Sequence, residues 1–147
     1  MNTSRLYRAL ACGLLVAAAT VFAGACDEKL SDLTGPTPNL KPTFASIQSE
    51  ILSQKCIGCH NGTGTRLPGI MNLKEGSAYA SLVGVPSIER PALMRVAPGD
   101  PENSYIYQKL EGSQGIGGQR MPLNGTPLTE GQLRVIERWI DLGAPNN

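Results

Sequence analysis

Apolar residues in the later part of the chain recur three and four positions apart, which is the spacing of one helix face. The first such run consists of Phe44, Ile47, Ile51 and Leu52. Thr43 precedes this run and can cap a helix, and the run leads directly into Cys56. The pattern predicts an amphipathic helix that ends at Cys56.

A second run predicts a C-terminal helix over residues 129–142. Thr129 and Gln132 have the spacing of a capping box. The apolar stripe of this helix consists of Leu133, Ile136 and Ile140, with Trp139 beside it. Gly143 and Pro145 are typical of a helix end. We expect this helix to pack against the first one, and we expect Trp139 to be a packing residue.

Two shorter helices are predicted in the middle of the chain. One covers residues 77–83 and stops at Gly84. The other begins with Asp100 as N-cap, Pro101 at the first helical position and Glu102 in the first turn, and runs through Leu110. No stretch alternates convincingly between apolar and polar residues. The sequence therefore predicts an all-α fold with a loop-rich middle.

The N-terminal segment has the pattern of an export signal. Arg5 and Arg8 precede an almost wholly apolar run over residues 9–25, which ends in small residues just before Cys26. The run is shorter than the roughly 20 residues that a spanning helix prefers. We therefore expect residues 1–25 to be a signal peptide, with an uncleaved membrane anchor as the weaker alternative.

Cys26 follows small residues in a way that resembles a bacterial lipobox. On this resemblance Cys26 would carry a covalent lipid, which anchors a protein to a membrane without making it span the membrane. Ordinary signal cleavage, which would leave an unmodified Cys26 thiol, is the alternative. Residues 26–42 contain Gly and Pro without an apolar period and are interpreted as a tether. The domain is expected over residues 43–147.

The charge balance argues against a nucleic-acid partner. The chain has 13 Lys and Arg, 12 Asp and Glu and one His, whereas phosphate binding needs a clustered surplus of basic side chains. Aromatic residues make up only 5% of the chain, against 17 Gly and 11 Pro. So small a domain has little bulky material for a core. Something other than side chains is expected to fill its middle.

The cysteines indicate what that group is. Cys12 would leave with the signal and Cys26 would begin the mature chain, so Cys56 and Cys59 remain as a pair followed at once by His60. This C-x-x-C-H spacing is the signature of c-type haem attachment. Two thiols on one helical turn can add to the two vinyl groups of a porphyrin, and the adjacent imidazole then lies under the iron. We expect one covalent haem c with His60 as its proximal ligand.

Three other uses of the two cysteines are weaker. A structural zinc site needs four ligands, and the mature chain offers no second His and no further Cys apart from Cys26. A thioredoxin-like pair would accompany a βαβ pattern, which does not precede Cys56. A plain disulfide between Cys56 and Cys59 would leave His60 unexplained.

The sixth iron ligand cannot be a second histidine of this chain, because His60 is the only one. We expect it to be Met121. Pro122 biases Met121 towards an extended backbone, and the preceding glycines let the loop approach a flat ligand closely. Met94 is the rival ligand, and an iron with no protein ligand on that side is the other alternative. Met71 is interpreted as a core contact.

These residues resemble the class I cytochrome c family over about residues 42–145. The resemblance lies in a haem motif at the end of a first helix, a distal Met-Pro loop and a C-terminal helix. The segments at 96–110 and 120–122 also resemble a haem-domain subgroup of planctomycete-type proteins. The resemblance implies thioether bonds at Cys56 and Cys59, axial ligation by His60 and Met121, and electron transfer. The chain departs from the smallest members by a longer stretch at 86–98.

The function expected from these features is that of a lipid-tethered periplasmic electron carrier rather than an enzyme, with redox partners that the sequence does not identify. A haem-based sensor or ligand-binding module with a displaceable Met121 is the main alternative, and a haem subunit of a larger oxidoreductase is another. Tyr105, Tyr107 and Arg120 are secondary candidates to face the haem propionates, although such residues more often pack or face solvent.

Overall fold

The computed structural model describes residues 39–147. The expected signal peptide, the Cys26 lipidation site and most of the tether lie outside this part. Helix α1 is continuous through three segments, and three further helices follow it. The bounds are Phe44–Ile47, Gln48–Leu52 and Ser53–Lys55 for α1, Ala78–Leu82 for α2, Tyr105–Glu111 for α3 and Glu130–Asp141 for α4. Over residues 39–147 the remaining order is in loops and isolated β-bridges, so the prediction of a helical protein without sheets is confirmed.

Helix α1 begins as the sequence predicts. The Thr43 hydroxyl accepts a hydrogen bond from the Ser46 amide at 3.3 Å, which satisfies one of the first free amides of the helix. The predicted apolar face is buried at Phe44, Ile47, Ile51 and Leu52. The middle segment, Gln48–Leu52, is π-helical, which the apolar spacing did not predict.

Helix α4 has both halves of the predicted capping box. The Thr129 side chain accepts from the Gln132 amide at 3.2 Å, and the Gln132 side chain accepts from the Thr129 amide at 3.0 Å. The buried face of α4 includes Val135, Ile136, Trp139 and Ile140, whereas Leu133 is half-buried. Gly143 follows with a φ of 91°, a conformation that glycine adopts without steric cost.

Aromatic packing joins α1 to α4. The Phe44 and Trp139 ring centroids are 5.5 Å apart, and Tyr79 of α2 meets Phe44 edge-on at 5.1 Å. The indole of Trp139 donates to the Pro145 carbonyl at 2.9 Å. These contacts confirm that Trp139 is a packing residue. The backbone of α4 also lies against that of α3.

Helix α3 starts later than predicted. Asp100 does accept from the Asn103 amide at 3.2 Å, but residues 100–103 form a turn and the helix begins only at Tyr105. The reason is Ser104, which has an extended backbone and forms a β-bridge with Met94. Its hydroxyl also donates to the Asp100 carbonyl at 2.8 Å. The helix could not continue through a residue committed to these contacts.

The long middle segment is held close to the helices. Val83 bridges to Val96, and Pro86 bridges to Met94, so the stretch interpreted as an insertion folds back on α2 and α3. Helix α2 matches the predicted position and is followed by Gly84 at a φ of 69°. Leu40 is buried in the core, so the packed domain extends ahead of residue 43. None of the helices in the described part is long and apolar enough to cross a membrane.

Candidate haem site

An apolar cavity of about 310 Å³ lies between the end of α1, α3 and the loop around Met121. Cys56, Cys59 and His60 line it from the turn that follows α1, and Met121 lines it from a distant part of the sequence. Its apolar wall includes Leu52, Leu73, Leu82, Ile106 and Leu110. The structure therefore brings the four expected haem-binding residues to one apolar cavity.

The imidazole of His60 is oriented by the backbone. The His60 amide donates to the Cys56 carbonyl at 2.9 Å, which fixes the residue at the end of the turn. Its Nδ1 lies 3.0 Å from the Pro68 carbonyl oxygen. A carbonyl only accepts, so Nδ1 carries the proton and Nε2 retains the lone pair that a metal needs.

The cavity environment also favours the neutral form of this imidazole. Burial lowers the pKa of His60 below its ordinary value, and the hydrogen bond to Pro68 opposes this shift only in part. Neutral imidazole is the form that ligates metals. Both the tautomer and the charge state of His60 therefore suit an axial ligand.

The two cysteines are free thiols in different environments. Cys56 is half-buried, whereas Cys59 is exposed. Burial is the main cause that raises the pKa of the Cys56 thiol from 9.0 to about 11, while Lys55 opposes the shift. The two sulfurs thus present one inner and one outer point of attachment at the edge of the cavity.

Met121 is held by its backbone against the end of α3. Its amide donates to the Lys109 carbonyl at 2.8 Å, and the Arg120 Nε donates to the Leu110 carbonyl at 2.8 Å. The last carbonyls of a helix lack intrahelical donors, so the Met121 loop uses groups that α3 leaves available. Arg120 itself does not line the cavity.

The other methionines are arranged differently. Met94 is 41% exposed and is not among the cavity-lining residues, so its position does not suit the rival role. Met71 is half-buried and does line the cavity, beyond the core contact expected of it. Its amide donates to the Pro68 carbonyl at 3.2 Å, the same oxygen that His60 uses. Met71 therefore belongs to the His60 side of the site.

Four polar residues in the cavity wall complete the site. They are Glu89, Arg95, Tyr105 and Lys109. Arg95 donates to the Ser81 carbonyl at 2.7 Å. Tyr107 is not in the wall, which separates the two tyrosines that the sequence grouped as candidates.

Sequence reasoning missed Glu89, Arg95 and Lys109. Each is a charged residue in a segment without a recognisable motif, and a charged residue is most often solvent-exposed. For Lys109 the only local signal was its position in α3, one helical turn after Tyr105 and so on the same helix face.

The donor set fits a covalently attached haem better than a bare metal ion. Cysteines at the cavity edge, a correctly protonated imidazole and a thioether within an apolar wall match haem ligation by His and Met. Over residues 39–147 no group of three or more His, Cys, Asp or Glu could hold a metal ion. Comparisons of the chain with protein-family models, with curated proteins and with solved structures gave no match.

Proposed function

We propose that this chain is a monohaem c-type cytochrome that carries electrons in a redox chain on the periplasmic side of a membrane. One observation carries the proposal: Met121 lines the same apolar cavity as Cys56, Cys59 and His60. The C-x-x-C-H motif and Met121 are far apart in the sequence, so only the fold brings them together. The all-α cytochrome c fold is part of the proposal and is supported by the order of the helices.

Each of the four residues has a separate role in this proposal. Cys56 and Cys59 would form thioether bonds at the porphyrin edge, and His60 would bind the iron through Nε2. Met121 would supply a soft thioether as the second axial ligand, which favours ferrous iron and raises the potential. When bound, haem would supply a one-electron couple between Fe(II) and Fe(III). The apolar wall would keep water from the iron.

Electron transfer is favoured over gas sensing by the way Met121 is held. Its amide is bonded to Lys109 O, and the neighbouring Arg120 is bonded to Leu110 O. A methionine that leaves the iron to admit a ligand would need a loop that moves easily. We therefore interpret the chain as an electron-transfer protein rather than an enzyme or a sensor.

The proposed location is supported by the sequence alone. The export signal at 1–25 and the lipobox resemblance at Cys26 favour an exported protein that a lipid anchors to a membrane. Covalent haem attachment in bacteria also takes place outside the cytoplasm. The proposal includes redox proteins as partners and no nucleic acid.

The test is a pair of methionine variants made in a host that attaches haem c. We expect the wild-type protein to gain the mass of one haem and to show the spectrum of a six-coordinate, low-spin iron in both redox states. Met121→Ala should keep the covalent haem but lose the low-spin ferric spectrum. Met94→Ala is the matched control, since Met94 is exposed and outside the cavity wall, and should behave as wild type.

Two outcomes would contradict the proposal. A colourless product at the bare peptide mass would exclude haem attachment. Rapid binding of carbon monoxide by the native ferrous protein at neutral pH would exclude the carrier and favour the ligand-binding module.

A further inference from the structure

Gly117 lies in the loop before Met121 and is held at both of its backbone polar groups. Its amide donates to the Tyr105 hydroxyl at 2.8 Å, and its carbonyl accepts from the Lys109 ammonium at 2.6 Å. Tyr105 and Lys109 are four positions apart on α3, so their side chains project from the same helix face. One turn of α3 thus holds one residue of the loop from two sides.

Glu89 joins the two side chains that hold Gly117. One of its carboxylate oxygens, Oε2, accepts from the Tyr105 hydroxyl at 2.8 Å and lies 3.2 Å from the Lys109 ammonium. The Lys109 side chain is only 10% exposed, against 33% for Glu89. A lysine this buried needs partners for its charge, and Glu89 and Gly117 provide them. We call Glu89, Tyr105 and Lys109 the Gly117 clamp.

The clamp leaves no room for movement or for a side chain at Gly117. A Cβ at this position would lie 3.3 Å from the Glu89 side chain and 3.3 Å from the Tyr105 hydroxyl oxygen. Lys109 also holds Met121 directly, because its carbonyl accepts from the Met121 amide at 2.8 Å. The same lysine therefore fixes the loop at Gly117 through its side chain and at Met121 through its backbone.

From this geometry we propose that the Gly117 clamp is a positioning device that keeps the Met121 side chain in the cavity and so prevents exogenous ligands from replacing it. Glu89, Tyr105 and Lys109 act on the loop, and none of them is assigned as an iron ligand. The proposal rests on the proposed function for the ligand role of Met121. The contacts that define the clamp do not depend on that role.

The test compares variants that open the clamp with variants that preserve it. Tyr105→Phe removes the hydroxyl that joins Gly117 to Glu89, and Lys109→Met removes the ammonium at nearly constant volume. Tyr107→Phe is the matched control, because Tyr107 lies on the same helix but not in the cavity wall. Glu89→Gln keeps an oxygen that can accept both hydrogen bonds, whereas Glu89→Ala does not.

Two readouts separate positioning from general stability. The first is carbon monoxide binding by the ferrous protein, together with the ferric absorption signature of thioether ligation. The second is amide hydrogen exchange at Gly117 and Met121, which needs no haem. We expect Tyr105→Phe and Lys109→Met to speed this exchange and to raise the carbon monoxide affinity, each by about tenfold, the factor that one lost hydrogen bond supplies. Glu89→Gln should resemble wild type more closely than Glu89→Ala.

The outcomes distinguish a failure of this inference from a failure of the proposed function. If Tyr105→Phe and Lys109→Met match Tyr107→Phe in both readouts, the clamp does not position Met121 and the inference is wrong. If the wild-type protein carries no haem, or has the spectrum of Met121→Ala, the proposed function fails instead. The exchange at Gly117 and Met121 then still shows whether the clamp holds the loop.

Discussion

The Nδ1 atom of His60 donates to the carbonyl oxygen of Pro68 over 3.0 Å. This bond selects one tautomer and leaves Nε2 as the metal-binding nitrogen. Burial lowers the pKa of the same ring. Since His60 is the only histidine of the chain, its ring signals can be followed without interference.

We expect His60 of the folded, haem-free protein to titrate below the ordinary value of 6.5. Because the unfolded chain binds the proton more readily than the folded one, the free energy of unfolding should fall as the pH drops below 6.5. Above that pH the contribution should be constant. NMR of the ring nitrogens during titration measures the pKa and the tautomer together.

His60→Gln is the control for this titration, since it should remove the pH dependence of stability within that window. A His60 pKa at or above 6.5 in the folded protein, or a proton located on Nε2, would contradict the orientation described above.

The two cysteines should differ in reactivity. At a given pH below 9, raising a thiol pKa from 9.0 to about 11 lowers the thiolate fraction by roughly a hundredfold. We therefore expect iodoacetamide to alkylate Cys59 of the folded, haem-free protein well before Cys56 at pH 8. The Cys56 rate should keep rising until the pH approaches 11. Peptide mapping by mass spectrometry gives both rates.

Denaturant should abolish this difference, because it removes the burial that raises the Cys56 pKa. The single variants Cys56→Ser and Cys59→Ser supply the reference rate of each thiol. Equal rates for Cys56 and Cys59 in the folded protein would show that Cys56 is not buried.

The Thr129 cap should contribute to stability and not to the spectrum. Thr129→Ala removes the acceptor of the Gln132 amide and should lower the free energy of unfolding by about 1 kcal/mol. Thr126→Ala, at an exposed loop position, should change it far less. Thermal melts followed by circular dichroism measure both. A loss of Met121 ligation in Thr129→Ala would show that α4 also positions the distal loop.

Preventing covalent attachment should weaken the whole domain. A Cys56→Ala, Cys59→Ala protein would leave the apolar wall at Leu52, Leu82 and Leu110 without a covalently held ligand. We expect it to be less stable than the haem-bound protein by more than about 3 kcal/mol, as for a ligand that binds only the folded state tightly. Met121→Ala keeps both cysteines and should retain most of this stability. Equal melting temperatures for the double variant and the haem-bound protein would contradict this expectation.

Local patterns predicted much of this structure, and contacts between distant segments account for what they missed. The Thr129 cap and the apolar face of α1 depend on neighbours within one or two turns, so the sequence displays them directly. The late start of α3 depends on the bridge between Ser104 and Met94, which no local signal shows. The helix start signal at Asp100 was present and formed its turn, but the bridge ended it.

The same distinction applies to the candidate site. Cys56, Cys59 and His60 form a contiguous motif, and Met121 is marked by the proline and glycines around it. Glu89 and Lys109 meet only because the middle segment folds back on α3, so their pairing required the three-dimensional structure.

The π-helical segment of α1, Gln48–Leu52, sets the rotation of everything that follows it. Phe44 and Ile47, before this segment, face Trp139 and the core, while Cys56, after it, faces the cavity. The Ile57 amide bonds to Leu52 O, five residues back, so the wider turn persists to the attachment motif. Deleting one residue here would turn the attachment motif by about 100° around the helix axis. The extra residue thus acts as an angular adaptor between two surfaces of one helix.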